Sequence, residues 1–427
     1  MNSAVNSKIE EIKAIIIGLV AEYSNIFTAS RRLRLLEEWI NLLGRRACIL
    51  FKARYVGLLC NGIVSYVSRN ESFPRSDLRI FMRLHRPALV HILVLGIYHA
   101  IVSLHNLMKM YKNSRKPIYI ILYATEYIPW LYLVPLYIVL KGLSRITKIR
   151  AILVHDYVDL YLVAYRYSRI EKFLYSILEN VSLRISSVFY SSSSITTGYL
   201  LSRGVRMDRI IYFPPLASRE FQREKSLNAM NSEKIVFVYT GNISKELSSL
   251  DLLLSALADL DEAEKRRIQV NLVLLVPKDN LRDLEDLQRL LKNKGLESVV
   301  NIKVNRPLHE VAELVSNSHI GLALLDPKHP ATKQMDFPLK VAEYLCSGVP
   351  VIYTNFGMIR FFLKHGFHGL MVEYEPGSIK EAVRFILSNP GIISELASNV
   401  DKVRKRFCLH TIAHELLVET LKRFLLK

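Results

Sequence analysis

Apolar residues along this chain fall into short runs of strand length, separated by stretches in which they recur at helical spacing. In the first half, Ile118–Tyr123, Ile149–Val154, Val188–Tyr190 and Arg209–Phe213 read as buried strands. The second half continues with Ile235–Thr240, Val270–Val276, Val299–Val304, Ile320–Leu325, Val349–Tyr353 and Leu370–Val372. Helical spacing fills the gaps, which is the pattern of a parallel sheet covered on both faces. Upstream, Ala47–Phe51 reads as a strand and Gly57–Gly62 as a loop open to a ligand. Residues 1–46 read as two or three amphipathic helices carrying Arg31, Arg32, Arg34, Arg45 and Arg46. The polar stretch Ala217–Lys234 interrupts the α/β pattern as an interdomain linker would. The predicted organisation is a helical extension (1–46), an α/β domain (47–216), a linker (217–234) and a second α/β domain (235–427), both domains doubly wound. The last helix is able to pack back on the first domain.

Composition narrows the class. The 427 residues suffice for two domains with full cores, and half of them are hydrophobic. A net charge of +19 points to anionic partners: nucleotide phosphates, an acidic membrane surface or nucleic acid. The basic residues are scattered rather than interleaved with aromatics, which argues against nucleic acid. Cys48, Cys60, Cys346 and Cys408 lie far apart in sequence, so there is no zinc spacing, and a reduced compartment is expected. Ala88–Met108 and Pro117–Leu140 are long enough to span a bilayer. His91, His99, His105 and Asn106 in the first, and Glu126, Pro129 and Pro135 in the second, favour buried elements of an α/β core instead.

Chemistry concentrates in Asp336–Ile352, DFPLKVAEYLCSGVPVI. Pro338 suits the first turn of a helix, and Leu339, Val341, Ala342, Leu345 and Cys346 form its buried stripe. Gly348 ends the helix before a strand begins. Lys340 and Glu343, three residues apart, share one face near the positive helix end. A lysine beside a helix N-terminus suits a phosphate, and a carboxylate one turn on suits the paired hydroxyls of a ribose. The plainer alternative is a solvated salt bridge. Gly241-Asn242 follows a strand at the ligand-binding end of a sheet, and the strand Ile149–Val154 delivers His155-Asp156 to the same kind of position.

Taken together, the P-x-K-x-x-E-Y helix and the GVPVI strand resemble the GT-B glycosyltransferases, particularly glycosyltransferase family 4. Further similar segments are YTGN (Tyr239–Asn242), VNRPLHEVAELVSNSHIGLALL (Val304–Leu325), HGLMVE (His368–Glu373) and the first-domain run Ser191–Pro215. The resemblance, which covers Ala47 to the end, implies two Rossmann-like domains with an interdomain cleft. It implies a nucleotide-sugar donor in the second domain, with Glu343 on the ribose and Gly241 and Asn242 at the diphosphate. Lys245, Lys340 and the helix N-terminus at Pro338 would supply positive charge, and Asn305 and Arg306 the turn beside the base. His155 matches a histidine near the reacting carbon, with Asp156 beside it. Nothing in the resemblance calls for a metal, so no metal and no cofactor beyond the donor is expected.

The departures are specific. Met335 stands where the family's E-x7-E motif would place a glutamate, with Asp336 beside it, and Glu246 and Leu247 follow Lys245 where basic residues are usual. The run Asp336–Val341, with Asn355-Phe356, is also similar to dolichol-linked oligosaccharide β-mannosyltransferases. Those invert the sugar centre whereas family 4 retains it, so both outcomes stay open. Inversion would need a carboxylate base, for which Asp156, Asp159 and Glu126 are candidates. The expectation is a metal-independent hexosyltransferase, cytoplasmic and peripheral on the inner membrane face. Its acceptor would be a lipid-phosphate-linked glycan, and first-domain cations would meet anionic lipid. The alternatives are a nucleotide-sugar epimerase of the same fold, or a basic membrane-associated protein without transferase activity.

Overall fold

The structure, a computed structural model, describes residues 13–23, 49–56, 59–66, 118–125, 127–157, 169–222, 233–243, 249–276 and 280–425, with isolated helical positions at 35, 38, 39, 97, 100, 101 and 104. The chain forms two compact units, Met1–Phe213 with Ile412–Lys427, and Pro214–Thr411.

The first unit holds a sheet of β1 (Lys13–Tyr23), β2 (Ile49–Val56), β3 (Leu59–Tyr66), β4 (Ile118–Thr125), β5 (Ile149–Tyr157), β6 (Val188–Ser191) and β7 (Ile210–Tyr212). Its strand order is β3-β2-β1-β4-β5-β6-β7, parallel except for β3 at one edge. Helix α1 (Tyr127–Leu143) links β4 to β5, and α2 (Arg169–Ile185) and α3 (Ser194–Ser202) follow β5 and β6. Trp39 donates from Nε1 to the Ala413 carbonyl at 2.9 Å, and Tyr190 shares a hydroxyl hydrogen bond with Thr420. These bonds tie residues after Ile412 into this unit.

Three expectations are corrected here. Lys13–Tyr23 is a central strand, with Ile17 opposite Ile49 on one side and Leu122 on the other. Its continuous, β-branched run Ile15-Ile16-Ile17 suits a strand buried on both faces better than an amphipathic helix. Gly62 lies in β3, paired with Ala53, rather than in an open loop. The strand expected to stop at Val154 runs on through His155, Asp156 and Tyr157, because Phe189, Tyr190 and Ser191 of β6 continue the pairing.

The apolar stretch around Ile121 is a strand followed by α1, and among the described residues no helix is long and apolar enough to cross a membrane. Most of Ala88–Met108, the N-terminal arginines and Lys245 lie outside the described residues.

The second unit is a wholly parallel sheet of β8 (Ile235–Asn242), β9 (Ile268–Leu275), β10 (Val300–Val304), β11 (Ile320–Ala323), β12 (Val351–Thr354) and β13 (Gly369–Val372). Its order, β10-β9-β8-β11-β12-β13, reverses direction between β8 and β11. In such sheets ligands bind outside the carboxyl ends of the strands at that reversal. Helix α4 (Leu339–Cys346) packs there, burying Val341, Ala342, Tyr344, Leu345 and Cys346. Its C-terminal end is fixed twice. Ser347 donates to the Phe221 carbonyl at 3.0 Å, and Cys346 is disulfide-bonded to Cys408 with 5.4 Å between Cα atoms. Two cysteines separated by 62 residues are thus tertiary neighbours, so their sequence spacing carries no information on compartment.

Candidate functional site

The carboxyl end of β8 and the first turn of α4 meet at the reversal point. Tyr239, nearly fully buried, presents its ring to Lys340, whose Nζ lies 3.9 Å from the ring centroid. That is a cation–π contact. The backbone at Gly241 passes so close that an added Cβ would lie 2.9 Å from Lys340 Nζ and 3.4 Å from the Tyr239 hydroxyl. With φ at 155°, this position needs glycine for its conformation as well as its space.

Tyr344 holds the two pieces together. Its hydroxyl accepts from the Thr240 N–H at 2.8 Å and lies 3.1 Å from Thr240 Oγ1 and 3.4 Å from the Leu322 carbonyl. Its ring occupies the space that a side chain at Gly321 would fill. The sequence placed Tyr344 in the P-x-K-x-x-E-Y run but gave it no role. The closeness of Gly321 to it is a tertiary fact.

Pro338 is the cap residue of α4 rather than its first helical residue, and among the described residues no side chain caps the helix. Its first turn therefore directs N–H groups outward beside Lys340. Lys340 and Glu343 are each half-buried. Burial lowers the Lys340 pKa to about 7, with Glu343 partly opposing the shift, and burial raises Glu343 to about 7, with Lys340 opposing. The two interact coulombically, and among the described residues no direct ion pair joins them. The arrangement is a cation and a carboxylate both held in a dense environment without neutralising each other by contact.

The other second-unit candidates separate by role. Asn305 takes the left-handed conformation at φ 50°, and its amide exchanges hydrogen bonds with the Val276 backbone at 2.9 and 3.1 Å. Its side chain therefore shapes the turn. Arg306 is exposed, with Glu310 3.5 Å away. Asn242 is exposed at the strand end. In the segment leading into α4, Thr332 Oγ1 and both amide atoms of Gln334 are buried with no partner among the described residues. Sequence reasoning passed over both. Asp336 is fully buried.

The first-unit pair is placed quite differently. His155 is 1% exposed and stacks on Trp130 at 5.9 Å, with Tyr157 at 4.7 Å and Phe189 at 6.2 Å between ring centroids. Burial lowers its pKa to about 3, so the ring is neutral near pH 7. Asp156 is fully buried and accepts a hydrogen bond from the Tyr123 hydroxyl. The structure does not bring either to an exposed strand end.

Residues 218–406 match the family model for glycosyl transferases group 1. The matched residues lie within the second unit, and the chain has the GT-B fold. Among solved structures, it is similar to Anabaena HepE in complex with UDP, with TM-score 0.64, 14% identity, and 95% of this chain and 99% of that chain covered. It is similar to sucrose-phosphate synthase from Thermosynechococcus elongatus, with TM-score 0.64, 15% identity and coverages of 96% and 100%. A glycosyltransferase from Rickettsia africae gives TM-score 0.62 at 13% identity, with coverages of 96% and 98%. No curated protein matches the chain.

Proposed function

We propose that the protein transfers a hexosyl group from a nucleotide sugar to an acceptor hydroxyl. The observation that carries this is the approach of Lys340 to the Gly241 backbone at the sheet reversal, with Glu343 one turn further along α4. Breaking the bond between C1 and the diphosphate oxygen leaves charge on the departing nucleoside diphosphate. The Lys340 ammonium and the first-turn N–H groups of α4 would stabilise that charge. Glu343 would accept from the ribose hydroxyls, and the exposed Arg306 would lie beside the base. Thr332 and Gln334, with polar atoms left over in the protein, are suited to sugar hydroxyls.

Similar structures hold UDP or UDP-glucose, which supports a uridine nucleotide as the first donor to test. In this reading the chain's own groups neutralise the phosphates, and turnover should persist in EDTA. A lipid-phosphate-linked glycan met at an anionic membrane surface on the cytoplasmic side fits the net charge of +19. Thermal-shift screening against UDP-, GDP- and ADP-sugars tests the reading directly. Ligand at 100 Kd should add about 2.7 kcal/mol. No shift with any nucleotide sugar at high concentration would remove it.

A further inference from the structure

Helix α2 in the first unit carries a second apolar surface that the sheet does not use. Its inward side is fixed by Glu179, which is buried and accepts from the hydroxyls of Tyr157 at 3.2 Å and Tyr199 at 2.8 Å and from Arg203 at 2.8 Å. Leu183 on the same side joins Phe189 and Leu200 in the core. The opposite side presents Ile170, Phe173, Leu174, Ile177 and Val181, exposed by 74, 67, 38, 44 and 37%. Their spacing of three, four, seven and eleven residues from Ile170 makes one stripe along the helix. Large exposed apolar surface rimmed by polar groups marks an interaction site.

Exposed cations lie on the same helix, α2, and on α1 beside it. Arg169, Lys172 and Arg184 are exposed on α2. Helix α1 packs beside α2, and it and the turn after it expose Ile138, Val139 and Ile146 together with Lys141, Arg145 and Lys148. Among the described side chains of residues 127–157 and 169–185 no acid is exposed, since Asp156 and Glu179 are buried.

We propose that the outer face of α2 docks on an anionic lipid bilayer, with the stripe among the acyl chains and the flanking cations at the headgroups. A single helix offers one side-chain layer of apolar depth, which is what an interfacial helix inserts. The chain's +19 charge complements an acidic surface over longer range. The inference draws its purpose from the transfer reading, because a lipid-linked acceptor would be met there. Its physics does not depend on transfer. It also moves the membrane contact away from residues 1–46, where β1 is a central strand whose deletion would dismantle the sheet.

The test is flotation of the full chain with phosphatidylcholine vesicles, with and without phosphatidylglycerol, at low and high salt. The wild type should float only with the anionic vesicles and be released by salt. Phe173→Ser with Ile177→Ser should reduce binding by roughly tenfold or more. Arg169→Gln, Lys172→Gln and Arg184→Gln together should weaken binding and flatten its salt dependence. Both variants should keep the wild-type melting temperature and UDP-induced shift, since every changed side chain is exposed. A wild type that stays unbound at low salt, or an apolar variant that floats as the wild type does, overturns the proposal. So does a soluble dimer that the apolar variant splits without any vesicle binding, which would make this a self-association face. Vesicle binding by a protein showing no shift with any nucleotide sugar supports the docking surface while removing the donor reading. A UDP shift without vesicle binding does the reverse.

Discussion

Lys340 and Glu343 in the second unit, and His155 and Asp156 in the first, look alike as sequence. Each is a titratable pair beside an apolar run. Their surroundings are opposite. Around His155 the neighbours are aromatic rings that fill space against it, and Asp156 is engaged by Tyr123. Around Lys340 and Glu343 the anchoring is done by a different residue, Tyr344, which bonds the Thr240 backbone. That division of labour leaves the Lys340 ammonium on the Tyr239 ring and, among the described residues, without a direct ion pair to Glu343. A titratable pair is open to ligand chemistry where a neighbour holds the backbone in its place, and closed where the pair itself is the packing.

The largest effect should come from the clamp behind α4. The Cys346–Cys408 bond closes 62 residues, a constraint of about 4 kcal/mol on the unfolded chain in the loop-entropy account. Both tryptophans, Trp39 and Trp130, lie in the first unit. Reducing the bond, or replacing both cysteines with alanine, should therefore shift the circular-dichroism transition while the tryptophan fluorescence transition stays in place. Transitions that move together would mean the two regions are not independently stabilised, and the contrast drawn above would fail.

His155→Ala should come next, as a loss of stability of roughly 2–4 kcal/mol from the cavity left among Trp130, Tyr157 and Phe189. Trp130 fluorescence reads it, and the UDP-induced shift should not change. The depressed pKa adds a pH signature. Between about 3 and 6.5 the unfolded chain binds a proton that the native state does not, so stability falls as pH drops through that window. A stable variant that loses turnover would instead restore His155 to the catalytic role its sequence position suggested.

Glu343→Ala should leave the fold intact and weaken nucleotide binding by about 1.5–3 kcal/mol, the cost of a charge-assisted hydrogen bond. Calorimetric titration with UDP measures it. Unchanged affinity would return Glu343 to the plainer role of a solvated charge.

Much of this was legible beforehand for definite reasons. Strands such as Ile235–Asn242 and Ile320–Ala323 are buried on both faces, so their apolar runs stand out without tertiary information. The helix Leu339–Cys346 announced itself because Lys340 and Glu343 interrupt a buried stripe. What stayed hidden depends on long-range contact. Lys13–Tyr23 becomes a central strand through β2 and β4, Cys346 meets Cys408 across 62 residues, and Tyr344 matters because it reaches Thr240. His155 stands within the last three residues of β5, past the Val154 at which the strand was expected to end. Its pairing with Phe189 on β6 carries it inside the sheet, whereas a strand ending at Val154 would have exposed it.

The smallest effect, and the sharpest test of the contrast, is the pH dependence of donor binding. Lys340 has its pKa lowered to about 7, so its ammonium is present below that pH and lost above it. A diphosphate prefers the ammonium, and binding should draw a proton onto Lys340 as pH rises. Affinity for UDP-glucose should therefore fall by about tenfold between pH ~6 and pH ~8, about 1.4 kcal/mol. Glu343, raised to about 7, ionises over the same range and pulls the other way, since its carboxylate accepts better from ribose hydroxyls. The protonated acid still offers a carbonyl oxygen, whereas neutral lysine has lost a full charge, so the lysine sign should prevail. Lys340→Arg keeps the charge at every pH and should flatten the profile. Glu343→Gln should leave the decline in place at lower overall affinity. A wild-type profile that rises with pH, or a Lys340→Arg profile as steep as the wild type, would show that the titrating group at this site is not Lys340.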